Sequence, residues 1–150
     1  DTEEQLRAQL KRLLESQKMT EQEAECIRIR DIRRFVESGL GQRMKKAAMK
    51  KHLYREQPFV IQRSASMLDD GWKNETVLVQ GIIDAYFMEE EEIVLVDYKT
   101  DRVKRGQEQK LIDLYHVQLE DYARALERMT GKKVKEKIIY SFTLQKEILL

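Results

Sequence analysis

The sequence predicts a mixed α/β domain that begins with a helical segment. Three observations indicate this class: apolar residues follow a helical period through residues 1–50, Val- and Ile-rich runs follow, and one long amphipathic stretch separates two groups of these runs. A length of 150 residues suits one domain of ordinary size. We therefore expect a single domain over residues 1–150, with a helical part at 1–50 and an α/β core at 51–150.

The helical part carries apolar residues at spacings that place them on one helix face. The stripe contains Leu6, Leu10, Leu13 and Leu14, and continues through Ala24, Ile27, Ile32, Phe35 and Val36. Gly39 and Gly41 mark a break, after which a short helix is expected to extend to about Lys50. These helices are expected to pack as a lid on the core.

Five runs in the core part have the composition of β-strands, at residues 55–63, 76–88, 93–100, 134–142 and 147–150. Pro58 lies inside the first run and favours an edge strand, because proline cannot donate to a sheet ladder. Residues 64–75 are polar and predict a loop, and the acidic run 89–92 predicts a solvated turn. A long helix is expected at 109–129, ended by Gly131.

Composition excludes several classes of function. With 28 Lys and Arg residues against 27 Asp and Glu, the net charge is +1, so any nucleic-acid or membrane binding must come from a local patch. No apolar run approaches the ~20 residues of a membrane span. A single cysteine, Cys26, excludes an internal disulfide, a cysteine-type zinc site and a four-cysteine iron–sulfur cluster, and fits a reducing, cytoplasmic setting. Because the chain starts at Asp1 rather than Met, we expect an excerpt of a larger protein.

Three charged residues occupy positions that a plain core would not use. Asp84 lies in the middle of an apolar strand, and Asp97 and Lys99 lie on one face at the end of the next strand. If the two strands pair through the acidic turn, Asp84 sits beside Asp97. Two close carboxylates repel unless a cation lies between them, and oxygen ligands favour Mg²⁺ or Mn²⁺. The alternative is a buried Asp–Lys structural pair with one hydrogen-bonded Asp; Gly81, where a ligand or backbone could approach closely, favours the site.

Four motifs in order resemble a known family. Run 81–84, Gly-x-x-Asp, and run 97–100, Asp-Tyr-Lys-Thr, resemble the core of the restriction-endonuclease-like PD-(D/E)XK superfamily. Run 56–59, Glu-Gln-Pro-Phe, and the pair Gln118 and Tyr122 resemble the Glu-x-Pro-Phe and Gln-x-x-x-Tyr motifs of its RecB-type nucleases. The resemblance implies a restriction-endonuclease-like mixed sheet flanked by helices, and a metal-dependent deoxyribonuclease.

The resemblance also implies roles for individual residues. Asp84, Asp97 and the main-chain carbonyl of Tyr98 would bind the divalent metal, which would activate a water and neutralise charge on the scissile phosphate. Lys99 matches the catalytic lysine, which positions that water or stabilises the transition state. Glu56 would reach the metal-bound water or brace Lys99, with an exposed edge-strand glutamate as the alternative.

The helix motif and the basic residues complete the implied site. Gln118 and Tyr122 lie one helical turn apart and would orient Lys99, the metal ligands or the DNA backbone; the alternatives are a solvated Gln118 and ordinary core packing of Tyr122. Contacts to DNA phosphates are expected from Arg102, Lys104 and Arg105, with a second basic cluster at 45–52, unless both groups are merely solvated.

The family implies a wider setting as well. Members of this kind cleave single-stranded DNA ends during double-strand break resection and recombinational repair. They are joined to ATP-binding helicase domains in the same full-length chain and act with a second helicase–nuclease subunit of the AddB type. The family also has a metal-binding His on an upstream helix, which neither His52 nor His116 matches, so we expect an incomplete metal shell and weak activity of this excerpt alone. The alternative function is a catalytically weak DNA-binding or structural module of the same fold.

Overall fold

A computed structural model describes residues 2–15, 21–64 and 76–150, and its helices and strands confirm the predicted α/β class. The helices are α1 (Thr2–Glu15), α2 (Glu21–Glu37), α3 (Gly39–Met49) and α4 (Glu108–Thr130). The strands are β1 (Leu53–Ser64), β2 (Thr76–Glu89), β3 (Glu92–Lys99), β4 (Val134–Ser141) and β5 (Lys146–Leu149). The loop predicted at 64–75 lies outside the described residues, except for Ser64 at the end of β1.

One mixed sheet holds the strands in the order β1-β2-β3-β4-β5. All neighbours are antiparallel except β3 and β4, which run parallel and are joined through α4. A parallel pair needs such a crossover, because its strands cannot be joined by a tight turn. β1 lies at the sheet edge, as Pro58 predicts, and the expected mixed sheet is confirmed.

Helices cover both faces of the sheet. Leu10, Phe35 and Met44, from α1, α2 and α3, are fully buried against one face, and Leu119 and Leu126 of α4 are fully buried against the other. Burial of large apolar side chains stabilises each layer by roughly 1.5–3 kcal/mol per residue. The helical part therefore shares a hydrophobic core with the sheet.

The acidic turn between β2 and β3 is solvated, as predicted. Glu90 and Glu91 are exposed and have positive φ angles of 50° and 68°, a feature of tight hairpin turns. Glu89, at the end of β2, instead pairs with Arg43 at 2.7 Å. None of the helices in the described part of the chain is long and apolar enough to cross a membrane.

Candidate active site

The centre of the sheet is irregular at Asp84. Pairing between β2 and β3 extends to Ala85 opposite Val96 and stops there. On the other side of β2, the β1–β2 ladder leaves Asp84 and its neighbour Glu56 unpaired with each other, and the φ of Glu56 is 51°. Ile83 packs on the α4 side whereas Ala85 packs on the α1–α3 side, although residues two apart in a regular strand share a face. The strands therefore separate at the level where the carboxylate projects.

Two hydrogen bonds from outside the ladder hold Asp84. The amide of Tyr98 donates to Oδ2 of Asp84 at 2.9 Å, and Nε2 of Gln9 in α1 donates to its main-chain carbonyl at 2.8 Å. Gln9 is buried, so this bond is shielded from water. The irregular backbone is thereby satisfied by a side chain from the helical part of the chain.

Asp84 and Asp97 lie side by side, as the hairpin predicts. The pKa of Asp84 is raised to about 7, first by burial and then by the neighbouring charge of Asp97 and a hydrogen bond between the two carboxyl groups. Burial also raises the pKa of Asp97, although the Lys99 ammonium opposes the shift. Two acids have thus been brought together in a place where their charges are costly.

Three groups surround the ammonium of Lys99. Its Nζ lies 2.9 Å from Oδ2 of Asp97 as an ion pair without hydrogen-bond geometry, and it donates to Oε1 of Gln118 at 2.8 Å. The ring centroid of Tyr115 lies 3.8 Å from Nζ, and the Tyr115 hydroxyl donates to Oδ2 of Asp101 at 2.6 Å. The ammonium is therefore held by a carboxylate, an amide and an aromatic face.

Tyr122 lies near the same carboxylates. Burial raises the pKa of its phenol to about 12, and the charges of Asp97 and Asp84 contribute to the effect. Its ring meets the edge of Phe59 at a centroid distance of 4.9 Å. A Cβ on Gly81 would come within 2.9 Å of the Phe59 ring, so the close approach at this glycine is made by Phe59.

The expected brace from Glu56 to Lys99 is corrected by the structure. Glu56 pairs with Arg12 of α1, and its side chain is 48% exposed. The positive φ at Glu56 directs it away from the regular alternation of β1. The contact of Glu56 therefore links β1 to α1.

The basic residues fall into two separate regions. Arg102, Lys104 and Arg105 are exposed in the connection between β3 and α4, which follows Lys99 directly. The second cluster, residues 45–52, lies at the other end of β3, where part of it lines a cavity of about 710 Å³ together with acidic residues 89–91. Only the first group is next to the carboxylate pair in the chain.

Sequence reasoning missed three residues of this site. Gln9 is the polar residue inside the apolar stripe of α1, which is a signal that could have been noticed. Tyr115 lies three residues before Gln118 on one helix face, and Asp101 follows the Asp-Tyr-Lys-Thr run by one residue. His52 and His116, by contrast, are exposed, and the ring of His116 faces main-chain carbonyls of its own helix.

The donor set suits a hard divalent cation. Asp84 and Asp97 supply carboxylate oxygens, and their shared charge is what such an ion would relieve. The amide of Tyr98 points to Asp84, and in a strand the carbonyl of a residue points to the same side as its amide. Within the residues that the structure describes, no group of three or more His, Cys, Asp or Glu side chains is placed so that it could hold a metal ion.

A mixed sheet with an Asp, Asp and Lys cluster where its central strands separate is the arrangement that the sequence motifs imply. A family profile described as the PD-(D/E)XK nuclease superfamily matches residues 1–148. The chain belongs to this superfamily, whose members generally use divalent metal ions.

Three relatives within this superfamily share a more specific name. The chain is 39% identical over 150 residues to a Clostridium novyi protein named as the A-type subunit of an ATP-dependent helicase/nuclease, covering 97% of this chain and 12% of that protein. Proteins of the same name from Acetivibrio thermocellus and a Thermoanaerobacter species are 44% and 42% identical over 93% and 91% of this chain, and 11% of each relative is covered. The chain is therefore similar to one part of these helicase/nuclease subunits, and it spans about 12% of the length of the first relative.

Proposed function

We propose that this chain is a metal-dependent DNA nuclease domain that hydrolyses phosphodiester bonds. The observation that carries the proposal is the gathering of Asp84, Asp97 and Lys99 at the place where β2 and β3 separate. A buried Asp pair with raised pKa values is expensive for stability, and functional sites are where such costs are found. Membership of the nuclease superfamily supports the same interpretation.

Asp84, Asp97 and the main-chain carbonyl of Tyr98 would hold Mg²⁺ or Mn²⁺. When bound, such an ion supplies an activated water and neutralises charge on the phosphate. The chain itself holds the Asp84 carboxylate through the Tyr98 amide on Oδ2 and the Asp84 main-chain carbonyl through Gln9, while Lys99 pairs with Asp97. The deep burial of Asp97, which is 3% exposed, limits competition from bulk water.

Lys99 stabilises the charge that develops on the phosphate during hydrolysis. Its ammonium is fixed by Asp97, Gln118 and Tyr115, so little reorganisation is needed when the phosphate arrives. Gln118 acts by orienting Lys99 through its amide oxygen. Tyr122 lies one turn after Gln118 on α4, near Asp97 and Asp84, and acts as a positioning residue for them.

The wider setting follows from the relatives. Their printed name combines a helicase with a nuclease, which supports helicase domains in the same full-length chain. We propose that those domains deliver single-stranded DNA ends to this site during break resection and repair in the cytoplasm. Arg102, Lys104 and Arg105, exposed beside the cluster, would contact backbone phosphates, and a second subunit of the AddB type would complete the enzyme.

The test compares full-length protein with its Asp97→Asn variant. Cleavage of single-stranded DNA in Mg²⁺ should fall by on the order of 10³-fold, because one of two carboxylates at the reacting phosphate is lost. Thermal stabilisation by Mg²⁺ should fall as well, whereas DNA-stimulated ATP hydrolysis by the helicase domains should remain. Cleavage retained by the variant would refute the proposal.

A second candidate is a DNA-binding module with little catalytic power. The observation that favours it is that, in the described part of the chain, no group of three or more His, Cys, Asp or Glu side chains is placed to hold a metal ion. It predicts that the unmodified full-length protein binds single-stranded DNA but cleaves it no faster than the Asp97→Asn variant does. The cleavage comparison therefore separates the two candidates.

A further inference from the structure

We infer that a cavity beside the catalytic cluster is a subsite for one base of the substrate strand. This inference rests on the proposed function, because it assigns a place to the nucleotide next to the phosphate that is cleaved. The cavity measures about 280 Å³ and lies between strands β1 and β2 and helix α4. That space is large enough for a single nucleobase.

The location connects the cavity to Lys99. Gln118 lines the cavity, and its Oε1 accepts a hydrogen bond from Nζ of Lys99 at 2.8 Å. Tyr122 lines the same cavity one turn further along α4, where its ring meets Phe59. A strand with a phosphate at Lys99 therefore has a neighbouring nucleotide at the mouth of this cavity.

The walls suit a flat apolar ring. Phe59 and Tyr122 meet edge to face at 4.9 Å, and Val79 and Val117 supply aliphatic surface. Single-stranded nucleic acid is commonly bound by stacking of bases on aromatic side chains, which every base can do. The absence of a Cβ at Gly81 is what allows the Phe59 ring to lie in this wall.

Charge distinguishes a base from a phosphate. Among the described residues that line the cavity there is no Lys or Arg, and the charged member is Asp121, which is 5% exposed and pairs with Arg124 at 3.4 Å. The lining therefore supplies no cation for a phosphate, whereas side-chain oxygens such as those of Asp121 and Gln118 accept hydrogen bonds from the amino and imino groups of a base. The sugar–phosphate backbone is thereby directed to the cationic side, at Lys99, and the base to the cavity.

The test removes single bases from the strand and blocks the cavity. Full-length protein is titrated, without divalent metal and without ATP, with single-stranded oligonucleotides that carry one abasic residue at successive positions. We expect loss of one base at one position to weaken binding roughly tenfold. Val117→Trp should fill the cavity and abolish this position dependence, since Val117 is 40% exposed and its replacement does not open the core.

Leu114→Trp is the matched control. Leu114 is 66% exposed on the same helix, one turn from Val117, and is not part of the cavity wall, so this variant should keep the wild-type position dependence. Val79→Phe, which closes the cavity from β2, serves as a second block if the first variant melts early. Position dependence that survives both blocks, or is missing from the wild type, overturns the inference.

The outcomes separate this inference from the proposed function. Asp97→Asn protein should lose cleavage yet keep the base preference, because Asp97 does not line the cavity. Cleavage retained by that variant would overturn the nuclease assignment. A flat abasic series together with loss of cleavage in Asp97→Asn would overturn the base subsite and leave the nuclease in place.

Discussion

The two ends of β3 each hold a cluster of carboxylates, and the protein treats them differently. At the hairpin end, hydrogen bonds from Arg43 lower the pKa of Glu89 to about 2, with Lys135 adding to the effect. At the other end, burial and the charge of Asp97 raise the pKa of Asp84 to about 7. The protein therefore stabilises the charged form of Glu89 and destabilises the charged form of Asp84.

Burial is the first cause of the raised Asp84 pKa, and the number of nearby cations adds to the difference between the two ends. Glu89 and Glu136 at the hairpin end are matched by Arg43 and Lys135, which lie within ion-pair distance of Glu89. At the separated end, the cation within ion-pair distance of the carboxylate pair is Lys99. Glu89 is thus neutralised by cations of the chain itself, whereas the proposed catalytic cluster has two carboxylates next to the single ammonium of Lys99.

The largest expected difference between the two ends is the change in cleavage rate when the lysine at each end is removed. Lys99→Met should lower single-strand cleavage by on the order of 10²–10³-fold, because the charge at the phosphate is lost. Lys135→Met removes a lysine that lies 3.1 Å from Glu89, and it should change cleavage less than about threefold. Single-turnover rates of the two full-length variants provide the measurement; equal losses would contradict the distinction between the ends.

Opposite responses to pH are the next largest effect. Between pH 3.8 and about 7, the folded protein keeps a proton on Asp84 that the unfolded chain has already released. The contribution of this group to stability therefore falls as pH rises through that window. Without metal, Asp84→Asn should therefore be more stable than wild type at pH 8 by on the order of 2 kcal/mol, and equal to it near pH 3.

Glu89 should show the reverse dependence. Its stabilising effect is present above the ordinary pKa of 4.5 and is lost as pH falls towards 2, so Glu89→Gln should be destabilised at pH 7 and resemble wild type at pH 2. Urea unfolding of both variants across this range measures the two slopes. Parallel pH profiles for Asp84→Asn and Glu89→Gln would contradict the assigned environments.

Substitutions of Tyr115 test how the ammonium of Lys99 is positioned at the separated end of β3. Tyr115→Phe keeps the ring over Lys99 and loses only the hydrogen bond to Asp101, so it should retain most of the cleavage rate. Tyr115→Leu also removes the aromatic face and should lower kcat roughly tenfold with KM nearly unchanged. A similar kcat for the Phe and Leu variants would show that the ring does not position the ammonium.

Glu56→Gln should have the smallest effect. Its partner Arg12 is largely exposed, and exposed ion pairs contribute about 0.2–1 kcal/mol. We expect a slight loss of stability and a cleavage rate within about twofold of wild type, because the Glu56 contact joins α1 to β1. Chemical denaturation and the cleavage assay check both points, and a loss comparable to that of Lys99→Met would restore a catalytic role to Glu56.

The sequence predicted the features that depend on local pattern. Alternation and the short acidic turn were enough to place Asp84 next to Asp97, and helical spacing placed Gln118 and Tyr122 together. Most strand limits were predicted to within one or two residues. These features follow from neighbours in the chain, which a single sequence displays.

What escaped prediction depends on distant contacts. Gln9 and Asp84 are 75 positions apart, and Arg12 and Glu56 are 44 apart, so no periodicity links them. The irregular backbone at Asp84 depends on tertiary contacts, because in a regular strand the neighbouring strands would satisfy its main-chain groups. Tyr115 was passed over because an aromatic residue on an amphipathic helix is usually core.

The hydrogen bond from Gln9 to the Asp84 carbonyl has a practical consequence for how this protein is cut into fragments. The first helix lies outside the sheet and α4, yet its Gln9 supplies the donor for the main-chain carbonyl of Asp84, a residue of the proposed active site. A version trimmed to the sheet and α4 would retain every family motif and still leave that carbonyl without its partner. The smallest useful fragment therefore begins before Gln9.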